Sequence, residues 1–217
     1  MYVTHDQTEA MTMGDRVAVM RDGSILQCAD PQSIYDHPLD MFVASFIGSP
    51  AMNLYEATLE GEATAMHLGS QRLPLPDAVR AARPGLRAHA GRKIIVGLRP
   101  EHLSTVGNPS GVGNNGDGPV LEGDVDLVEA LGSEMLVHFS IDAHRVLAEG
   151  AHEEEETQLI ERGEGVARVD PRVRVKPGDQ GRFRVDVERI HFFDPDTGLS
   201  ITDSGRPTAA RPMRTVP

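Results

Sequence analysis

The chain has 217 residues, of which 39% are hydrophobic, 25% charged and only 4% aromatic, so a folded protein with a mainly aliphatic core is expected. Its formal net charge of −12 argues against nucleic-acid binding, which normally requires a basic surface. The single cysteine, Cys28, excludes an internal disulfide, and no apolar run approaches the roughly 18 residues that span a bilayer. With no signal-peptide pattern, these features predict a soluble cytoplasmic protein.

The first 48 residues predict a small α/β unit. Residues 1–4 have the character of a buried strand end, and Asp6 with Glu9 has the spacing of a capping box that opens a helix. Asp22-Gly23 is the preferred two-residue hairpin turn. The elements predicted here are a helix that ends at Gly14, hairpin strands at 17–20 and 24–28, and short helices at 31–37 and 40–47.

From Ser49 onward the sequence predicts strands almost exclusively, with one short helix at 77–83. Turn signals at 69–70, 177–179 and 195–198 separate many of the strands. Several short strands at this spacing are typical of a small barrel and not of a parallel sheet. The predicted strands are 53–60, 63–68, 93–99, 120–131, 134–141, 145–149, 166–175 and 182–193.

Three stretches have few apolar residues and are expected to be mobile, namely 107–118, 150–165 and the tail 205–217. Residues 111–116 match the dinucleotide-binding pattern GxGxxG, but no strand precedes them and no helix follows, so we interpret them as a loop. His152 beside residues 153–156 could attract a cation, although a solvated acidic loop is the better interpretation.

Motifs for independent catalysis are missing from the sequence. The nine histidines show no zinc-binding spacing, and there is no GxSxG elbow. Neither Lys93 nor Lys176 follows a glycine, so a Walker phosphate-binding loop is excluded. Glu101 and His102 could form an acid–base pair, but a strand end turned by Pro100 is favoured.

Several segments resemble one family. Residues 2–11 (YVTHDQTEAM) strongly resemble the switch region of ABC transporter ATPases, and residues 15–20 and 31–35 continue the resemblance. Residues 42–53 (FVASFIGSPAMN) narrow it to the maltose-type sugar-importer subfamily. Residues 97–102 (GLRPEH) and 131–134 (LGSE) fit its C-terminal regulatory domain, an OB-like barrel of the TOBE kind.

The resemblance implies a mainly β fold, in which an OB-like TOBE barrel follows a small α/β remnant of an ABC nucleotide-binding domain. The expected division is 1–48 for the nucleotide-binding remnant, 49–204 for the regulatory domain and 205–217 for a disordered tail. The family's Walker A loop, signature and Walker B acid lie upstream of the switch histidine, so we expect the C-terminal part of a longer ATPase. Stretches 107–118 and 150–165 resemble insertions relative to the family.

His5 is the one catalytic residue that the resemblance implies. In the family, this histidine contacts the ATP γ-phosphate and helps to orient the attacking water, a task for which an imidazole has both donor and acceptor atoms. ATP and Mg²⁺ are therefore expected cofactors of the full-length parent. For the 217-residue chain alone, we expect no bound cofactor or metal and no ATPase activity.

Two functions remain open for the barrel. The first is a regulatory and dimerisation platform of an importer for sugars or glycerol phosphates; its expected partners are a second copy, the transporter membrane subunits and a regulatory protein, at the inner face of the membrane. The second is a sensor for a small oxyanion, for which Arg99, Arg182 and Arg184 are the candidates, although structural ion pairs are the better interpretation of these arginines. The sequence does not identify the solute.

Overall fold

The structure is a computed structural model that describes residues 2–106, 118–148 and 163–201. Residues 2–48, which we call the N-terminal region, contain three helices and one hairpin. Their bounds are α1 Gln7–Met13, β1 Val17–Arg21, β2 Ser24–Ala29, α2 Pro31–Asp36 and α3 Met41–Phe46. The hairpin and all three helices confirm the elements predicted for this part of the sequence.

Each helix of the N-terminal region begins after an aspartate whose carboxylate caps it. Asp6 Oδ1 accepts from the amides of Thr8 and Glu9, at 2.7 and 3.1 Å. Asp30 caps α2 and Asp40 caps α3 in the same way. These carboxylates satisfy amides that have no partner within the helix, which explains why such short helices begin at these positions.

The prediction of a buried strand at the start of the chain is wrong for the described residues 2–4. Tyr2 is 68% exposed and Val3 is 84% exposed, and neither lies in a strand. The hydroxyls of Tyr2 and Thr4 instead donate to the Glu9 carboxylate, at 3.0 and 2.9 Å. The capping box is therefore half formed, because Glu9 binds these hydroxyls while the Asp6 amide donates to Thr4 Oγ1.

The remaining residues, 49–201 as far as they are described, form two antiparallel five-stranded sheets and one short helix, α4 (Asp77–Ala82). We call this part the barrel. The strands are β3 Asn53–Leu59, β4 Ala65–Leu68, β5 Gln71–Pro74, β6 Lys93–Leu98, β7 Leu103–Thr105, β8 Val120–Ala130, β9 Met135–Ile141, β10 Gly163–Val169, β11 Gln180–Val185 and β12 His191–Phe193. The sheet orders are β12-β6-β3-β4-β5 and β10-β9-β8-β11-β7. The mainly β prediction is confirmed.

The two sheets enclose a common core. Tyr55 and Val96 from one sheet pack in the same cluster as Phe139 and Phe183 from the other, and the two phenylalanine rings stack with their centroids 4.5 Å apart. The amide of Asn53 also joins the sheets, because it donates to Val166 O at 2.9 Å and accepts from Val166 N at 2.8 Å. Polar pairing and apolar burial therefore fix the same sheet-to-sheet arrangement.

Several predicted strand limits are wrong. The span 145–149 is not a strand over its described residues, since only Arg145 forms a single bridge, with Tyr55. The span 182–193 divides into β11, a 3-10 turn and β12, which lie in different sheets, and β5 and β7 were not predicted. The strand predicted at 166–175 runs instead from Gly163 to Val169.

The prediction that residues 150–165 are mobile is wrong at the C-terminal end of that stretch, because residues 163–165 belong to β10. The reason lies in packing: a Cβ atom on Gly165 would collide with the Tyr55 hydroxyl, so glycine is required there by close approach of the sheets. The other residues of that stretch, the stretch 107–117 with its GxGxxG pattern, and the tail 205–217 lie outside the described residues. In the described part of the chain, no helix has the length and apolar character needed to cross a membrane.

Candidate functional site at the junction of the two regions

His5 lies at a bend immediately before α1 and is exposed. The bend is held by its neighbours, since the Asp6 amide donates to Thr4 Oγ1 at 2.9 Å and that hydroxyl donates to Glu9. An exposed imidazole beside a capped helix start can donate one hydrogen bond and accept another. The arrangement fits the role that the resemblance gives to His5, which stays a prediction.

A hydrogen bond joins α1 to the segment that leads into the barrel. We call residues 47–50 the junction loop. Within it, the Gly48 amide donates to Gln7 Oε1 at 2.8 Å. Gly48 has a φ of 126°, which side chains rarely adopt, and a Cβ atom there would lie 3.0 Å from Arg99 Nη1. Both facts require glycine at this position.

Arg99 binds the other side of the junction loop. Its Nη1 donates to Ile47 O at 2.8 Å and its Nη2 donates to Tyr35 O at 2.6 Å. The guanidinium carbon lies 3.7 Å from the centre of the Tyr35 ring, and Arg99 is only 1% exposed. Burial lowers the pKa of Arg99 from its usual value, but the carbonyl oxygens and the ring face compensate for the lost hydration.

Tyr35 and Glu101 extend this contact, because the Tyr35 hydroxyl donates to Glu101 Oε1. Burial, followed by this hydrogen bond, raises the pKa of Tyr35 to about 12, so the hydroxyl remains protonated and serves as a donor. Glu101 belongs to a 3-10 turn, Pro100–His102, which agrees with the interpretation of this segment as a strand end turned by proline. Glu101 therefore faces Tyr35 of the N-terminal region.

The second sheet also reaches the junction loop. Arg168, in β10, donates through Nη2 to Ser49 O. Since Arg99 follows β6 of the first sheet, both sheets bind carbonyl groups of one loop, that of Ile47 and that of Ser49. The N-terminal region and the barrel are thus joined by directed hydrogen bonds as well as by the chain itself.

The three candidate arginines for an oxyanion do not form one open site. Arg99 is buried in the junction, and Arg182 in β11 pairs with Glu122 at 3.1 Å. Arg184 lies two residues further along β11, in the sheet that does not contain β6. These contacts favour the structural interpretation of Arg99 and Arg182.

A cleft of about 650 Å³ lies beside the junction, between the end of α2 and the barrel. Its lining includes His37, His102 and His191. Burial, followed by the positive charge of Arg99, lowers the pKa of His191 to about 3, and burial also lowers the pKa of His102. Both imidazoles are therefore uncharged at neutral pH. Among the residues that the structure describes, no group of His, Cys, Asp and Glu is arranged to hold a metal ion.

The sequence interpretation missed the contacts of Gln7, Tyr35 and Gly48 at the junction. All three lie within the segments that carry the family resemblance, which was the available signal. Their roles depend on contacts with residues distant along the chain, such as the 41 positions that separate Gln7 from Gly48. Spacing within one motif does not reveal such contacts.

Comparison with protein families identifies two domains within the barrel. Residues 48–103 match the MalK OB fold domain, and residues 96–167 match the TOBE domain. The two matches overlap at 96–103, which includes Arg99 and Glu101. The barrel is therefore an OB-fold and TOBE assembly of the kind found in ABC importer ATP-binding subunits.

Curated relatives extend the similarity over nearly the whole chain. The ATP-binding protein for uptake of osmoprotective compounds from Synechocystis is 37% identical over 93% of this chain and 48% of its own length. The trehalose import ATP-binding protein of Mycobacterium tuberculosis is 35% identical over 93% of this chain and 51% of its own length. The sn-glycerol-3-phosphate import ATP-binding protein of Cereibacter sphaeroides is 40% identical over 91% of this chain and 46% of its own length.

A solved structure of the cytoplasmic molybdate-binding protein ModG aligns with 66% of this chain and 96% of its own, at 14% identity and a TM-score of 0.40, which is too low to support any argument. The domain matches and the curated relatives show that the chain is a portion of an ATP-binding subunit of the ABC importer family that carries the MalK OB fold and TOBE domains. This confirms the resemblance. The chain spans about half the length of the curated relatives it matches.

Proposed function

We propose that this chain is the regulatory and dimerisation part of the subunit that hydrolyses ATP in an importer for carbohydrates or glycerol phosphates. The observation that carries the proposal is the similarity, at 35–40% identity over more than nine-tenths of the chain, to import ATP-binding proteins for trehalose and for sn-glycerol-3-phosphate. In this proposal residues 1–48 belong to the nucleotide-binding domain, 49–204 form the regulatory domain, and 205–217 are a tail.

The nucleotide chemistry would depend on His5 in combination with groups outside this sequence. The sequence has no Walker loop, so the phosphates of ATP and the Mg²⁺ ion must be bound mainly by other parts of the subunit. His5 fits the remaining task, because it is exposed and its neighbours fix the bend at which it lies. Its imidazole would donate to the γ-phosphate and help to orient the attacking water.

The proposed partners follow from the same similarity. A second copy of the subunit and the membrane subunits of the importer would complete the assembly, placing the chain at the inner face of the membrane. A regulatory protein that binds the barrel is a further proposed partner. The described contacts of the junction support a regulatory role, because they provide a physical connection between the barrel and α1.

The replacement His5→Ala in the full-length subunit tests the proposal. ATP turnover should fall about 10²- to 10³-fold, since a positioned polar group that acts on the developing charge is lost. ATP binding should change little, because the phosphate-binding loop and base contacts supply most of the affinity. His144→Ala, which removes another exposed histidine from the barrel, is the matched control and should leave turnover unchanged. Wild-type turnover in His5→Ala would show that His5 has a different role.

A further inference from the structure

The junction loop, residues 47–50, is bound on both sides. Its Gly48 amide binds Gln7 of α1, while the carbonyl of Ile47 binds Arg99 and that of Ser49 binds Arg168. The loop therefore connects α1 to both sheets of the barrel. The distance from Gln7 Oε1 to the Gly48 amide nitrogen is 2.8 Å, as is that from Arg99 Nη1 to Ile47 O.

The helix α1 is weakly held by its own packing. Each of its residues is exposed or half-buried, and it contains only seven residues, so it is too short to be stable in isolation. Its position must therefore depend on a few tertiary contacts, and the Gln7–Gly48 hydrogen bond is one of them. Gln7 follows His5 by two residues, so this hydrogen bond lies close along the chain to the backbone on which His5 is placed.

The barrel side of the junction is, in contrast, tightly fixed. Arg99 is buried, makes two hydrogen bonds to the N-terminal region and stacks on Tyr35. A Cβ atom on Gly48 would lie 3.0 Å from Arg99 Nη1, so the loop and the guanidinium are closely packed. The loop thus presents the Gly48 amide to α1 from a backbone that the barrel binds on its other side.

We propose that Gln7, Gly48 and Arg99 are positioning residues that set the placement of His5 from the barrel. Arg99 fixes the junction loop, the Gly48 amide fixes Gln7, and Gln7 fixes the start of α1 beside His5. This inference rests on the proposed role of His5 in ATP hydrolysis. It adds a route by which the state of the barrel changes the rate of ATP hydrolysis without any barrel residue touching ATP.

Gln7→Leu in the full-length subunit tests the catalytic part of this inference. Loss of one positioning hydrogen bond should lower kcat for ATP hydrolysis about 3- to 10-fold and leave KM for ATP within about twofold. Gln7→Glu retains an acceptor oxygen for the Gly48 amide and should keep kcat within about twofold of the wild type. The matched control is Gln32→Leu, which removes an exposed glutamine of α2 whose side chain donates to Asp36 in its own helix, and it should have no effect. Wild-type kcat in Gln7→Leu would overturn the inference.

A double mutant separates an effect through His5 from a general structural effect. If Gln7 acts by placing His5, Gln7→Leu should cause no further loss of turnover once His5 is alanine. An equal loss in both backgrounds would show that Gln7 acts independently of His5 and would overturn the inference. If instead His5→Ala alone has wild-type turnover, the proposed function fails and not the contact geometry.

Hydrogen exchange of the 217-residue chain tests the geometry without measuring activity. The Gly48 amide should exchange about 3- to 10-fold faster in Gln7→Leu and at the wild-type rate in Gln32→Leu. Arg99→Lys should also speed its exchange, because lysine lacks the planar fork that binds two carbonyl groups. Arg182→Lys, in a surface pair with Glu122, is the control for that replacement. Unchanged Gly48 exchange in both Gln7→Leu and Arg99→Lys would overturn the proposed connection.

Discussion

The barrel and the N-terminal region differ in how completely they bury their own apolar side chains. The barrel encloses a large core that includes fully buried Phe139 and Phe183, whereas the main cluster of the N-terminal region has four buried members among the described residues. That region leaves Met13 74% exposed and Met20 57% exposed. We therefore expect the barrel to supply most of the stability of the described structure.

Truncation of an apolar side chain should give the largest difference in stability loss between the two regions. Phe183→Ala should lower the free energy of unfolding by about 3–5 kcal/mol, because it removes a fully buried ring and leaves a cavity beside Phe139. Met20→Ala should change it by less than about 0.5 kcal/mol, since Met20 is already largely exposed. Denaturant unfolding of the 217-residue chain measures both values. Comparable losses in the two variants would contradict the assignment of stability to the barrel.

The next contrast lies within the barrel, between two amides that both bridge its sheets. Asn53 exchanges hydrogen bonds with Val166 in a buried site, and Gln71 exchanges them with Glu122 at the surface. Asn53→Ala should lower the free energy of unfolding by about 2–4 kcal/mol, because it leaves buried backbone groups without partners.

The surface variant Gln71→Ala provides the control for Asn53→Ala. Water can replace the lost partners at this surface site, so the free energy of unfolding should fall by less than about 1 kcal/mol. The same denaturant unfolding experiment applies to both. A larger loss for Gln71→Ala would show that burial does not determine which of these bridges matters.

Local signals in the sequence were sufficient for most elements of the fold. The Asp22-Gly23 turn and the capping aspartates Asp6, Asp30 and Asp40 act through neighbouring residues, so the hairpin and the three helices could be predicted. Residues 2–4 could not, because a strand depends on a partner strand and the apolar pattern alone does not show whether one is adjacent.

The site was predicted less completely than the fold. The resemblance pointed to His5, but the Gln7–Gly48 bond joins residues 41 positions apart and the Tyr35–Glu101 bond joins residues 66 apart. Arg99 illustrates the difficulty, since its residue type fits an anion site as well as a junction. Only its burial and its two carbonyl partners distinguish these possibilities.

A change of pH should act on the boundary between the two regions. Arg99, His102, Arg83 and His37 are the positively charged or titratable groups that disfavour protonation of His191, in addition to its burial. With a folded pKa of about 3, His191 stays neutral in the folded chain while its unfolded form gains a proton below about pH 6.5. The free energy of unfolding therefore decreases as the pH falls from about 6.5 toward 3.

The size of this effect is set by the width of the pH interval. Between pH 6.5 and 5, the contribution of His191 should fall by about 1–2 kcal/mol, and His191→Phe should remove that part of the dependence. In His191→Phe, the dependence of the unfolding free energy on pH that remains should include a contribution from His102, whose pKa is also lowered by burial. Unfolding free energies measured at several pH values test this expectation. An unchanged slope in His191→Phe would show that His191 is not the group responsible.

The smallest contrast concerns two helix caps with the same chemistry and different surroundings. Asp40 caps α3, which buries Val43, Ala44 and Ser45, so Asp40→Ala should cost about 1 kcal/mol of global stability. Asp6 caps α1, whose residues are all at least partly exposed, so α1 can unfold locally while the core persists. Asp6→Ala should therefore leave the global free energy unchanged within about 0.3 kcal/mol and speed amide exchange only in α1. A loss of about 1 kcal/mol in Asp6→Ala would show that α1 unfolds together with the barrel and that the two regions form a single cooperative unit.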